Sequence, residues 1–373
     1  MRKSILILAH NYGMQFLEGC NQYAQLFDPT LYHVTVAYLI GEENAEVQQK
    51  TQAETVLFFN FPPRSLRGIK LGAIGKLLTL CRKNQYEMVI CHRYKPTYIM
   101  LLVNVFCHIP RLFFVMHAIE TMRSKTRRAL VACLFRSNMT FIGVSDAVRN
   151  DLRRDMWCVP PEKMRTFYNI MDHDLFAPAL CDAQSARDYL HLPENQFIYG
   201  TIGRFVKEKD QRTLIQAYAL IKNKAPLSKL VLAGSGKLEA ELKEEARTLG
   251  LENEVIFTGF IPDGFRFMKA FQVFILNSVE EAFGRVLLEA MLAEVPIIAT
   301  NTDGIPEVVG DTGYIVPKKD VHALAAIMLE LYEMPAATLA ERGRAGYQRM
   351  LNVFSPTPFK KQFWEIYSER GTP

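Results

Sequence analysis

Two glutamates eight residues apart, Glu281 and Glu289, bracket the stretch of this chain best equipped for chemistry, Asn277-Ser278-Val279-Glu280-Glu281-Ala282-Phe283-Gly284-Arg285-Val286-Leu287-Leu288-Glu289. The apolar run Val273-Phe274-Ile275-Leu276 before it reads as a buried strand, and the apolar helix after it breaks before Pro296. A site therefore falls at the carboxyl end of a strand. Ala282, Phe283 and Gly284 lie where the chain turns into the helix. Gly284 lets a ligand approach the backbone, and the amides of the first helical turn, near Phe283 to Val286, can receive a phosphate. Eight residues span roughly 12 Å at ~1.5 Å per residue along a helix axis, which suits a ligand with hydroxyls on both sides of a diphosphate. The ligand so inferred is a nucleotide sugar, with Glu281 on the sugar hydroxyls, the helix start on the diphosphate and Glu289 on the ribose. Taken alone, the stretch also fits an amphipathic helix with one buried, paired glutamate.

Three shorter motifs precede it. Gly203-Arg204-Phe205-Val206-Lys207-Glu208-Lys209 follows the apolar run Phe197 to Ile202. Its cations Arg204 and Lys209 can grip a diphosphate from the side opposite the helix amides; a surface cluster with Glu208 and Asp210 is the alternative. Gly234-Ser235-Gly236 reads as a tight turn, and Gly259-Phe260-Ile261-Pro262 can present the backbone around Ile261 to a nucleobase edge.

The elements that must hold these residues alternate between short apolar runs and helix-length segments. Candidate strands are 5–9, 33–38, 55–59, 88–91, 112–116, 140–143 and 165–168, then 197–202, 229–233, 255–258, 273–276, 296–300 and 314–316. Strands spaced by helices predict βαβ units and parallel sheets, so the fold class is α/β with two doubly wound domains. Weak periodicity with Pro178 and Pro193 marks the crossing, giving domains 1–172 and 173–355 and a last amphipathic helix over 356–373. Ligands in such sheets bind beyond the strands' carboxyl ends. That rule selects Gly13, then His92, Arg93 and Lys95, then His117, although each alone also fits a cap or core residue.

Seven cysteines with no Cys-x-x-Cys pair argue against a disulfide framework or a structural zinc site and place the chain in a reducing compartment. Residues 1–170 contain 22 Lys and Arg against 12 Asp and Glu, a net +10, while the whole chain carries +5. The basic half suggests a polyanionic partner. Two segments, Arg64 to Leu78 and Arg123 to Phe135, mix cations and apolar residues as interfacial helices do. Solvated faces of ordinary core helices are the alternative. The cations alternate with Leu and Ile rather than stacking aromatics, which speaks against nucleic acid.

In order, Gly203-Arg204 with Lys209, Gly234-Ser235-Gly236, Phe257-Thr258-Gly259, Glu281-x7-Glu289 around Phe283-Gly284, and Asp303-Gly304-Ile305-Pro306-Glu307 resemble the donor domain of the family-four retaining glycosyltransferases of GT-B fold. The resemblance runs over residues 197–317. Asn169-Ile170-Met171-Asp172 with Phe176 resembles the family's Asn-Gly-Val-Asp loop, with Ile170 in place of the glycine. The resemblance implies two Rossmann-like domains facing across a cleft, the last helix packing back on the first. It also implies that Arg204 and Lys209 bind the donor diphosphate, Glu281 the transferred sugar and Glu289 the ribose, with His117 near the reacting sugar. Gly13 stands alone where the family often carries a glycine pair.

The resulting expectation is a retaining, metal-independent glycosyltransferase of the hexosyl type with catalytic residues Glu281 and His117. Gly13, Gly203, Arg204, Lys209, Ile261, Ala282, Phe283, Gly284 and Glu289 would bind the donor, and His92, Arg93 and Lys95 the acceptor. No cofactor is expected, and Asp172-His173-Asp174 is read as a turn and helix cap rather than a metal site. The acceptor expected is a glycolipid or oligosaccharide, in lipopolysaccharide core or other surface polysaccharide synthesis. The site of action expected is cytoplasmic, on the inner face of the cytoplasmic membrane. A sugar-nucleotide epimerase or phosphorylase of the same fold, or a non-enzymatic basic binding protein, are the rival readings.

Overall fold

The apolar runs become strands in the computed structural model, which describes residues 2–368, the central ones fully buried and the edge strands half-buried. The last part of the helix expected over 356–373, residues 369–373, lies outside the described residues. The chain divides into two compact units at Asn169 and Ile170.

The first unit contains β1 (Lys3–Ala9), β2 (Tyr32–Tyr38), β3 (Thr55–Phe58), β4 (Met88–His92), β5 (Arg111–Met116), β6 (Met139–Gly143) and β7 (Met164–Thr166). They form one parallel sheet in the order β3-β2-β1-β4-β5-β6-β7. Helices cover a doubly wound parallel sheet on both faces, which is why its strands are apolar throughout rather than alternating. Leu112 to Met116 and Val89 to Cys91 are almost completely buried. Each such Leu, Val, Phe or Met contributes about 1.5–3 kcal/mol by leaving water. Chain order reverses between β1 and β4, where Ile5 pairs with Met88 and Leu8 with Cys91.

The second unit repeats the plan with β8 (Phe197–Ile202), β9 (Ser228–Ala233), β10 (Val255–Gly259), β11 (Val273–Leu276), β12 (Ile297–Thr300) and β13 (Tyr314–Val316), in the order β10-β9-β8-β11-β12-β13. Its reversal lies between β8 and β11, where Val273 pairs with Tyr199. In both units the reversal opens a crevice at the strands' carboxyl ends, the ordinary place for a ligand in this architecture.

Helix starts follow the capping residues. Ser145 accepts from the Val148 amide at 3.1 Å and Asp320 from the Ala323 amide at 2.9 Å. Asp172 accepts from the amides of Asp174 and Leu175, so the Asp172-His173-Asp174 triplet is a helix cap. One segment departs from expectation. Arg64 to Lys70 is a series of turns, and the helix begins only at Leu71 (Leu71–Asn84). Gly68 and Lys70 adopt left-handed φ values of 62° and 60°, which no helix continues through. Leu66 is buried at 1% exposure and anchors the turn, so it is not part of any outward apolar face. Among the described residues, no single helix is long and apolar enough to cross a bilayer.

Candidate functional site

In the second unit, the exit of β11 is tied down from both sides. Asn277 and Ser278 are buried polar residues. The Asn277 side-chain amide donates to the Asp210 carbonyl, and Thr300 Oγ1 donates to the Ser278 carbonyl at 2.5 Å. The Val279 amide donates to the Glu208 carbonyl at 2.8 Å, and Thr302 Oγ1 to the Val279 carbonyl at 3.0 Å. Buried polar groups persist only when paired in this way. The loop is thereby fastened to the exits of β8 and β12, and it delivers Glu281 to the switch point.

Glu281 itself is held at the backbone. Its amide donates to Asp303 Oδ2 at 2.9 Å, and its carbonyl accepts from the Gly304 amide at 3.1 Å. Its carboxylate accepts from Lys209 Nζ, with Ser278 Oγ at 3.4 Å. The two charged side chains are only 20% and 18% exposed, so this pair is shielded from water in a way that surface pairs are not. Arg204 is exposed and has no ion-pair partner among the described residues; its carbonyl accepts from the Val206 amide and from the buried Gln211 side chain, both at 3.0 Å. The two cations expected to grip a diphosphate thus stand in different states, Arg204 open and Lys209 already facing a carboxylate.

Gly284 caps the helix Arg285–Leu292 at φ 84°, and a side chain there would press Leu287 and Leu276 at 3.0 and 3.2 Å. Glu289 lies on this helix, but Glu281 lies on the loop before it, so helical spacing applies only from 285 onward. Phe283 is 3% exposed and packs edge-to-face on Phe354 at 5.8 Å. Its main chain, with that of Ala282, is what borders the site. Ile261 is buried as well, which leaves its main-chain groups for a ligand. The Gly203 amide donates to the Ala233 carbonyl at 2.9 Å and the Gly234 amide to the Gly259 carbonyl at 2.8 Å, so the β8, β9 and β10 exits pack backbone on backbone.

In the first unit, the exits of β1, β4 and β5 each carry a histidine, His10, His92 and His117, and the last two meet. His92 Nδ1 lies 3.0 Å from His117 Nε2, with the rings stacked at 5.3 Å. His92 is 0% exposed and its Nε2 has no partner. The surface position expected of an acceptor-binding His92 is not what the fold gives: β4 runs one residue further than its apolar pattern and carries His92 into the interior, behind His117. An orphaned buried N–H is rarer than an orphaned acceptor, so His92 donates and the His117 proton sits on Nδ1. Burial holds the His92 imidazole well below its ordinary pKa, with His117 adding to the shift. Burial lowers His117 to about 4, helped by Arg93, and lowers His10 to about 4, helped by Lys95 and Arg93. At neutral pH all three are therefore uncharged.

Arg93 caps the helix Tyr94–Phe106 at φ 76°, a conformation costing about 1–3 kcal/mol, with its guanidinium 4.4 Å above the Phe16 ring. Lys95 Nζ lies 3.4 Å from His10 Nε2. Gly13 caps the helix Met14–Ala24 at an ordinary φ of −53°, and an added Cβ would meet nothing closer than 3.6 Å. The local fold therefore does not itself demand glycine there. His10 and Asp303 were not singled out as site residues by sequence; the signals available were His10's place directly after β1 and Asp303's place in the Asp-Gly-Ile-Pro-Glu turn. All seven cysteines are free thiols. Among the described residues, no three His, Cys, Asp or Glu side chains cluster as metal ligands would.

Residues 182–349 match the family described as glycosyl transferases group 1, and residues 25–175 match glycosyltransferase family 4. The capsular polysaccharide biosynthesis glycosyltransferase CapM of Staphylococcus aureus is 32% identical over 185 residues, which cover 48% of each chain. The N-acetylgalactosamine-N,N'-diacetylbacillosaminyl-diphospho-undecaprenol 4-alpha-N-acetylgalactosaminyltransferase of Campylobacter jejuni is 27% identical over 255 residues, 66% of this chain and 67% of that one. The chain spans about half the length of CapM and of similar curated relatives. The crystal structure of HepE from Anabaena in complex with UDP superposes with a TM-score of 0.80 at 23% identity, over 99% of this chain and 100% of that one. The shared architecture is the GT-B fold.

Proposed function

The chain belongs to the family 4, group 1 glycosyltransferases, and we propose that it moves a sugar from a nucleotide-diphosphate donor to a hydroxyl of a glycan or glycolipid acceptor, with retention at the anomeric carbon. The observation that carries this reading is Glu281, fastened through its own backbone at the switch point of the second sheet with Lys209 on its carboxylate. A carboxylate so placed supports positive charge on a departing sugar. Arg204, Lys209 and the helix start at Gly284 support negative charge on the leaving diphosphate. With that charge met by fixed cations and amides, no metal or cofactor is needed. The leaving phosphate then takes the acceptor proton on the same face. Glu289 receives the ribose.

UDP is the first donor nucleotide to test, because the solved HepE structure holds it. Titration with a panel of UDP-, GDP- and ADP-sugars is expected to show one clear preference, and absence of binding by every member removes the reading. Arg204→Ala with Lys209→Ala is expected to weaken nucleotide diphosphate binding by about 3–6 kcal/mol, at about 1.5–3 per charge-assisted hydrogen bond. Unchanged affinity in that double variant would remove both cations from the diphosphate.

The acceptor in this reading is a glycolipid of lipopolysaccharide core or another surface polysaccharide, met at the inner face of the cytoplasmic membrane. Ile69 and Leu71 support it, being 66% and 72% exposed beside Arg64 and Arg67. Arg123 is engaged by Glu120 and Arg127 by the Thr121 carbonyl. Arg64, Arg67, Lys125 and Arg128 have no carboxylate partner among the described residues, and together contribute roughly 4 kcal/mol at an anionic surface, at ~1 kcal/mol each. Flotation with anionic liposomes at low salt is expected to carry the protein up. Equal flotation with neutral liposomes, or none with either, would count against an electrostatic membrane contact.

A further inference from the structure

Four cations gather at the carboxyl edge of the first sheet with no carboxylate paired to them among the described residues. Arg93 and Lys95 follow β4 directly, and Lys95 Nζ reaches His10 beyond β1, across the switch point. On the same helix, Tyr94 carries the Arg127 guanidinium 4.2 Å above its ring, and Tyr98, one turn on, carries Lys70 Nζ at 3.7 Å. The two tyrosine rings lie 6.2 Å apart. Arg127, Lys70, Lys95 and Arg93 are therefore drawn around the first turns of one helix from three separate parts of the chain. No carboxylate among the described residues pairs with any of them, whereas nearby Arg123 has Glu120. The Lys70 ammonium is held below its ordinary pKa by burial and then by the positive charges of Lys95 and Arg127, so the group repels itself as it stands. His10 adds a ring nitrogen, Nδ1, that is buried without a partner.

We propose that this cluster is a binding site for a phosphoryl group, specifically a diphosphate, carried by the acceptor. The inference rests on the transferase reading only for the word acceptor; the anion site stands on the geometry. One carboxylate would balance one of four charges, whereas a diphosphate brings two to three negative charges and oxygens that diverge. Arg93 and Arg127 offer planar forks and Lys70 and Lys95 point charges, the combination that suits phosphate oxygens. The start of the helix Tyr94–Phe106 turns its positive end to the same place. Single-stranded nucleic acid fits less well, because the Tyr94 and Tyr98 rings on which bases would stack already carry cations.

The test uses the full chain with UDP present in excess, so that any diphosphate site in the second unit is filled, and follows inorganic pyrophosphate and farnesyl diphosphate by calorimetry. Pyrophosphate is expected to bind with UDP present, and Lys95→Met, Arg127→Met and Lys70→Met each to weaken it by about tenfold or more. The three variants lie on separate segments, and thermal melts identify any that fails to fold. Tighter binding of farnesyl diphosphate than of pyrophosphate, through the same cations, assigns a lipid-linked headgroup; equal binding assigns a free phosphate ester. No pyrophosphate binding, or binding lost in Arg204→Ala with Lys209→Ala and kept in the three variants, overturns the site. Failure to bind UDP would instead strike the transferase reading and leave the effect of the three variants readable.

Discussion

Glu281→Gln is expected to lower turnover by about 10²- to 10³-fold while nucleotide diphosphate affinity stays within about twofold, since a fixed charge acting on the transition state is worth that much. Glutamine keeps the size and the backbone contacts to Asp303 and Gly304, so the loop itself is undisturbed. What disappears is the negative charge that the proposed reading sets against the sugar. Lys209 loses its carboxylate at the same time and becomes freer to meet the phosphate, which acts to tighten nucleotide binding rather than weaken it. The two effects separate cleanly in steady-state turnover and UDP titration. Parallel losses in both would mean that Glu281 serves mainly to hold Lys209 in place, and the carboxylate would then have no part at the sugar.

Strands were legible in this sequence because parallel strands buried on both faces need continuous apolar runs, and β8, β11 and β13 fall on the expected residues. Their carboxyl ends then located the switch points. The Arg64 to Lys70 turn was not legible as a turn: cations spaced among Ile and Leu look the same on a helix as in a turn pinned by one buried Leu66, and the left-handed Gly68 and Lys70 leave little trace in composition. His92 misled for a related reason, since a histidine next to a strand end carries no mark of whether the strand includes it. The pairs that define the site were the least visible. Lys209 with Glu281 and Lys95 with His10 join residues 72 and 85 apart, a distance at which local periodicity carries no information. Residue types and strand ends gave the candidates, and only the sheet order shows which of them meet.

Gly304→Ala is expected to lower stability by about 1–3 kcal/mol and turnover by about 10²-fold or more. Gly304 has an ordinary φ of −84°, so alanine brings no backbone strain of its own. The difficulty is space: a Cβ there would sit 2.2 Å from the Ala282 carbonyl oxygen and 3.1 Å from Phe283 Cα. Main chain cannot rotate out of the way as a side chain can, so the 281–283 segment must retreat by roughly 1 Å to reach normal contact distance. That retreat moves Glu281 directly and stretches its carbonyl from the Gly304 amide. A displacement of about 1 Å at a reacting group is enough for a 10²-fold loss. Gly72→Ala supplies the comparison, since nothing lies within 4 Å of its Cβ position, and there a small gain of about 0.4–1 kcal/mol is expected. Thermal melts and turnover of the two variants decide the matter. If Gly304→Ala melts early yet keeps full turnover, the contact with Asp303 and Gly304 does not set the position of Glu281.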